Sequence, residues 1–349
     1  MHAPRLSVVV CTYNPREDLF ARTLSAIARQ TMNKSEYELL IIDNNSSPAL
    51  DLAHVAKLAG RETRLIREPR QGLTIARARA IRESRAQTIC FIDDDNEVDR
   101  DFLDHAANIA DREPGLGVWG GVCAPALERP AGPLLRPWLP HLGVRDLGPK
   151  PQTGLCREWR EFEPIGAGLC IRREVGEIYA RYIEEAEGTR LLGRSGDALM
   201  SGEDSLMSRI AALLGLECGY RPQLRLTHHI TAGRLTLKYI ARLLEGHGRS
   251  FIVLNRICRT DGAEAPPQLN RKSIARRLLH RLRAEGPVAA FGMMFWDIGY
   301  HRQLRDINDG IEIARIVDFL PRPDPARAFE NRPFKHDANE PGSATAAGG

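Results

Sequence analysis

Within the first 125 residues, five short and almost unbroken apolar runs alternate with segments of helical period. That alternation restricts the fold more than any other feature of the chain. The runs are residues 6–11, 39–42, 64–66, 88–92 and 117–122. Strands this continuously apolar belong in a sheet covered on both faces. Between them Leu19, Phe20, Thr23, Leu24, Ile27 and Ala28 recur at helical spacing, as do Phe102, Leu103, Ala106, Ala107 and Ala110 and, less fully, Ile75, Ala78, Ala80 and Ile81. Strand–helix alternation predicts an α/β fold built on a Rossmann-like, doubly wound, mainly parallel sheet. In such sheets ligands bind beyond the carboxyl ends of the strands.

Three of the most polar short sequences follow three of these strands: Thr12-Tyr13-Asn14-Pro15, Asp43-Asn44-Asn45-Ser46-Ser47 and Asp93-Asp94-Asp95-Asn96. Three polar loops on one rim predict a site. Adjacent carboxylates repel one another, more strongly as they leave water, and a divalent cation offsets that repulsion. Asp93 and Asp95 have the spacing that points two side chains the same way from an extended segment. Hard oxygen donors of this kind suit Mn2+ or Mg2+, with a substrate diphosphate completing the shell. The acids could instead merely precede a helix near Asp99, but capping needs one aspartate and not three.

A chain of 349 residues has room for one large α/β domain and a helical appendage. Its net charge of +4 comes from nearly balanced acidic and basic residues and gives no reason to expect nucleic acid as a partner. Nothing at the N-terminus resembles a signal peptide, no apolar run approaches the ~20 residues of a spanning helix, and the seven cysteines contain no C-x-x-C pair. A cytoplasmic protein with reduced thiols is expected. Residues 124–160, rich in Pro and Gly, read as an irregular connection or a mobile loop. Helices are expected at 174–187, 203–215 and 235–257, a linker at 261–268, further helices over 271–320 and a disordered tail at 321–349. In the C-terminal helices Ile274, Leu278, Leu279 and Leu282 share a face largely opposite Arg276, Arg277, His280 and Arg283. That pattern suits peripheral contact with an anionic membrane surface. The apolar stretch 288–296 fits either that surface or packing on the rest of the chain.

Taken together, these segments resemble the family 2 glycosyltransferases, which share the GT-A fold. The resemblance covers roughly residues 5–255 and is carried by an ordered series. The series is Ser7-Val8-Val9-Val10-Cys11-Thr12-Tyr13-Asn14, Ile41-Ile42-Asp43-Asn44-Asn45-Ser46-Ser47, Gly72-Leu73-Thr74-Ile75-Ala76-Arg77, Phe91-Ile92-Asp93-Asp94-Asp95, Gly166-Ala167-Gly168 and Gly202-Glu203-Asp204. It implies inverting transfer of a sugar from a nucleotide-sugar donor, UDP-linked in most of the family, to the hydroxyl of a saccharide or lipid-linked saccharide. Polysaccharide or glycoconjugate synthesis at the cytoplasmic face of a membrane would be its setting.

By the same resemblance, Thr12, Tyr13 and Asp43 would hold the base, with Asn14 and Asp94 in the same nucleotide-sugar pocket and Arg77 at the donor. Asp93 would contact the ribose and stand by the metal. Asp95 would ligate Mn2+ or Mg2+, and His228 or His229, the former favoured, would complete the shell. Gly166, Ala167 and Gly168 would line the acceptor. Asp204 would be the general base, and Glu203 would orient the acceptor. The implied domains are 1–258, with the nucleotide-sugar part up to about 125 and the acceptor part after it, then helices over 259–320 and the tail. One departure stands out: the family often has Ala-Arg-Asn-x-Gly where this chain has Ala76-Arg77-Ala78-Arg79-Ala80, which makes Arg79 a second phosphate candidate. Arg234 is a further one, and Trp138 and Trp159 are candidates for stacking on an acceptor sugar.

Local sequence also permits plainer roles for some of these residues. Ser201 and Asp204 could form a capping box, and the glycines at 166 and 168 an ordinary turn. A non-catalytic GT-A scaffold would also carry the fold. A sugar nucleotidyltransferase would want a glycine-rich basic loop after the first strand, and a phosphoryl-transfer hydrolase its acidic motif there; Thr12-Tyr13-Asn14-Pro15 is neither.

Overall fold

The first four apolar runs become β1 (Leu6–Thr12), β2 (Tyr37–Asp43), β3 (Arg64–Arg67) and β4 (Thr88–Phe91), all mutually parallel. The computed structural model describes residues 3–186, 192–194, 199–258 and 271–321, without the side chains of 271, 272 and 274. Burial along the strands does not alternate: Val8, Val9 and Val10 are wholly buried, as are Leu40, Ile41 and Ile42. The cause is helix cover on both faces. The helices α1 (Glu17–Ala28), α2 (Leu52–Ala59) and α4 (Phe102–Arg112) share a core with Val8, Val10, Leu39 and Ile41. The helices α3 (Leu73–Glu83) and α5 (Arg173–Glu185) pack together on the opposite side chains.

The remaining strands are β5 (Asn96–Val98), β6 (Leu116–Leu127), β7 (Gln152–Gly154), β8 (Leu169–Arg172) and β9 (Glu217–Ile230). The sheet order is β3-β2-β1-β4-β8-β6-β9-β5, with β7 paired to β9. β8 is antiparallel to both β4 and β6, while β6 and β9 run parallel. Strand order reverses between β1 and β4, which leaves a crevice at their carboxyl ends. Thr12 closes one of these strands and the acidic run follows the other.

The connection expected to be irregular is better anchored than its composition suggests. β6 continues to Leu127, and a 3-10 turn spans Arg136–Leu142. Trp138 and Leu142 are buried with Ile230, Leu235, Ile240, Leu243 and Leu244. Trp138 therefore cannot stack on a sugar, whereas Trp159 is exposed. The chain goes on through α6 (Glu203–Leu213), α7 (Leu237–Ile257), α8 (Arg271–Ala284) and α9 (Gly286–Asn308). α9 lies backbone to backbone on α7: a Cβ at Gly248 would fall 2.0 Å from the Trp296 carbonyl oxygen, and one at Gly299 1.9 Å from that of Glu245. Arg249 donates to Gln303 and Asp306 across this contact, and Trp296 packs on Phe251. The stretch 288–296 thus packs on the chain itself. No helix among the described residues is long and apolar enough to cross a membrane. All seven cysteines are free thiols, five of them buried.

The α/β GT-A fold implied above, doubly wound and extended by C-terminal helices, is the fold observed. The expected linker 261–268 and all but the first residue of the expected tail lie outside the described residues.

Candidate active site

The loops after β1 and β2 are tied to each other. Asn14, with a left-handed φ of 46°, donates its N–H to Ser46 Oγ at 2.9 Å and accepts the Ser47 N–H on its side chain at 2.8 Å. Asp43 is buried, and its two carboxylate oxygens accept the N–H groups of Ser46 (2.9 Å) and Leu50 (3.2 Å). Asp43 therefore shapes this loop, while Tyr13, 47% exposed, is the member of the group free to meet a base. Asn44, not singled out from sequence, staples the β2 loop to the β3 loop. It donates to the Glu68 and Arg70 carbonyls and accepts the Gly72 N–H at 2.8 Å. Only its place in the polar Asp43–Ser47 run hinted at this.

The three aspartates diverge, which corrects the expectation that Asp93 and Asp95 point together. β4 ends at Phe91 and the acids sit in a turn, closed by Asn96 N–H to the Asp93 carbonyl at 3.1 Å, so strand geometry does not apply to them. Asp93 turns to Arg77, Asp94 accepts a short hydrogen bond from the Thr12 hydroxyl across the β1–β4 crevice, and Asp95 turns to His228 and Arg234. Separate partners relieve part of the mutual repulsion, and Asp94 still feels both neighbours. Burial, and then Asp95, push the Asp94 carboxyl up to about 7 despite the Thr12 bond. Burial acts the same way on Asp95, but His228, Arg234 and Arg194 outweigh it and hold Asp95 at about 2.

His228 Nε2 lies 3.5 Å from Asp95 Oδ2. Neighbouring donors at ~2.1 Å from an octahedral ion stand about 3 Å apart, so this pair fits a small divalent cation. His229 faces away and bonds Glu97 at 2.6 Å, as alternation along β9 requires. No group of three or more His, Cys, Asp or Glu side chains able to hold a metal occurs among the described residues. Asp95 and His228 are thus a two-donor pair that Asp93 does not join.

Arg77 organises the other side of the site from behind. Its side chain is 1% exposed, packed over Phe91, with Nη1 3.5 Å from Glu203 and Nη2 3.4 Å from Asp93 and 3.3 Å from the Gly166 carbonyl. The guanidinium is committed to these groups and does not reach out over the rim. Gly166 makes room for it, since a Cβ there would sit 2.9 Å from Nη2. Gly168 takes φ +70° against Leu226, and Ala167 is buried, so this loop is shaped by its protein neighbours.

Glu203 is buried beside Arg77, with burial and then Asp204 raising its pKa. It cannot orient an acceptor directly. Asp204 is only partly buried and accepts the Gly166 N–H on Oδ2 at 2.9 Å and the Ser205 N–H on Oδ1 at 2.8 Å. The capping box does not form, because Gly202 is the N-cap residue and Ser201 lies outside it. Arg79 is turned to Glu83 and Glu68 and away from any phosphate role.

Residues 7–175 match the model of Glycosyl transferase family 2. The match takes in the rim loops, the acidic run, Arg77 and the Gly166 loop, and stops before Asp204 and His228. Glycosyltransferase AglE of Haloferax volcanii is 30% identical over 107 residues, 30% of this chain and 35% of that one. The poly(ribitol-phosphate) beta-N-acetylglucosaminyltransferase TarP of Staphylococcus aureus is 30% identical over 94 residues, 26% of this chain and 28% of that one. The matched part spans about a third of the length of these curated relatives. A crystal structure of S. aureus TarS 1-349 in complex with UDP superposes with a TM-score of 0.48 at 16% identity, covering 88% of this chain and 92% of that one.

Proposed function

We propose that this chain is a family 2 glycosyltransferase that moves a sugar from a UDP-linked donor to an acceptor hydroxyl, with inversion and with Mn2+ or Mg2+. The observation that carries the reading is the pairing of Asp95 with His228 beside the β1–β4 switch point, with Asp204 linked through Gly166 and Arg77 to Asp93 of the same acidic run. Tyr13 and Thr12 would hold the nucleoside, and Asp93, steadied by Arg77, its ribose. A cation held by Asp95 and His228 would neutralise the charge that develops on the departing diphosphate. Asp204 would take the proton of the attacking hydroxyl, and a single base on the sugar face opposite the leaving group would give direct displacement with inversion.

Calorimetry with UDP, with and without Mn2+, tests this. The wild-type chain should bind UDP in a Mn2+-dependent manner, and Asp95→Ala should weaken that binding by about 100-fold or more, since even residues that only support a metal ligand are worth 10–100-fold. Equal affinity in Mn2+ and in chelator would favour a scaffold instead. A panel of nucleotide-sugars assayed for nucleotide release would then identify the donor.

The C-terminal helices suggest where the acceptor is met. The α8 sequence carries Arg271, Lys272, Arg276, Arg277, Arg281 and Arg283 and no acid. Leu279 and Leu282 are 48% and 43% exposed beside Arg276 and Arg283. Exposed leucines among arginines suit the headgroup region of an anionic bilayer, where each basic residue contributes about 1 kcal/mol. That chemistry supports peripheral attachment at a cytoplasmic membrane face, near a lipid-linked saccharide acceptor. Flotation should recover the chain with anionic vesicles and not with neutral ones, and Leu279→Ser with Leu282→Ser should reduce recovery. Absence from the anionic fraction removes the idea.

A further inference from the structure

We propose that Arg234 is an internal counter-cation, holding the cation position between Asp95 and His228 until a nucleoside diphosphate draws it away and the metal takes its place. The inference rests on the metal-dependent donor site proposed above. Arg234 Nη1 lies 3.0 Å from Asp95 Oδ2 and 3.2 Å from His228 Nε2, and those two atoms are 3.5 Å apart. One guanidinium nitrogen thus faces both donors that a metal would use. It can only donate hydrogen bonds, so with His228 in its Nδ1–H tautomer it points N–H groups at the lone pairs that would otherwise bind the ion. A divalent cation in contact with the same two atoms would also be repelled by the guanidinium charge at short range. Arg234 and the metal therefore exclude one another.

The surroundings fit a side chain that moves. Arg234 lies on the short turn between β9 and α7, whose backbone is closed by Arg234 N–H to Thr231 and Leu235 N–H to Ala232. Its side chain is 25% exposed, against 1% for Arg77. Asp95, Asp94 and Asp93 all attract it, and a diphosphate would offer a bidentate acceptor of higher charge. The handover requires no backbone change. It makes metal and nucleotide binding mutually reinforcing: metal alone must evict Arg234 without compensation, whereas metal with a diphosphate gives the arginine a new partner.

Mn2+ binding to the full chain, followed by electron paramagnetic resonance or calorimetry with and without UDP, tests this in the wild type, Arg234→Gln and Arg234→Lys. Without nucleotide, Arg234→Gln should bind Mn2+ about tenfold more tightly than wild type, within the usual range of coupling between sites. Arg234→Lys, which keeps the charge, should stay close to wild type, and its melting curve controls for folding. The gain in Mn2+ affinity on adding UDP should be smaller in Arg234→Gln. Unchanged or weaker Mn2+ binding by Arg234→Gln without nucleotide, in a wild type that binds Mn2+ with UDP, overturns the role of Arg234 alone. A wild type that binds no Mn2+ even with UDP removes the metal-dependent reading and this inference with it.

Discussion

Asp204→Asn should lower sugar transfer by about 10²–10⁴-fold, the usual contribution of a positioned base, and leave nucleotide-sugar affinity near the wild-type value. The amide is isosteric but has one acceptor oxygen where the carboxylate has two. Asp204 now serves two backbone N–H groups, Gly166 at 2.9 Å and Ser205 at 2.8 Å. One of them loses its acceptor in the variant, at about 1–3 kcal/mol of stability. Melting curves should accompany the kinetics, because a modest fall in stability with intact donor binding separates lost chemistry from lost structure. Wild-type turnover by Asp204→Asn would assign the base to another residue.

Arg77→Met should cost about 3–5 kcal/mol of folding stability, the range found when one member of a buried ion pair is removed and its partner left uncompensated. Glu203 is buried, one of its carboxylate oxygens has no hydrogen-bond partner, and Arg77 is the cation nearest it. The loss should depend on pH. Burial already raises the Glu203 pKa and Arg77 opposes that, so removing Arg77 raises it further. A carboxyl with a raised folded-state pKa penalises the fold increasingly as pH climbs above its unfolded value. The deficit against wild type should therefore be larger at pH 8 than at pH 5, measured by urea unfolding at both. Adding Glu203→Gln should recover part of it at pH 8. A variant with wild-type stability at both values would mean the Glu203–Arg77–Asp93 chain does not hold the rim together.

The parallel half of the sheet was legible because both-face burial leaves an unbroken apolar run, as at Val8–Val9–Val10, and a polar loop after each such run marks a strand's carboxyl end. β5 and β7 were not, since three-residue strands are too short to express a period. Trp138 lies in a Pro-rich connection whose composition says nothing of the apolar cluster that receives it. At the site, sequence places three polar loops on one rim, and only the family resemblance adds the glycines and Asp204; how the acids divide among partners is not legible in it. Strand alternation does not reach Asp93 and Asp95, because β4 ends at Phe91. Asp204 and Glu203 have separate roles by resemblance, as base and as acceptor contact, but only their placement on α6 turns Glu203 inward to Arg77 and Asp204 to Gly166. The position of Arg234 between Asp95 and His228 depends on the pairing of β5 with β9, 132 residues apart at Asn96 and His228, and no local pattern reports it.

The glycine contacts between α7 and α9 have a mechanical result. At Gly248 and Gly299 a carbonyl oxygen is seated where a Cβ would be, so at these two points no side chain separates one rod from the other. Any side chain larger than a hydrogen at Gly248 or Gly299 would have to prise the two rods apart, so the seating of α9 is written into two positions that carry no side chain at all.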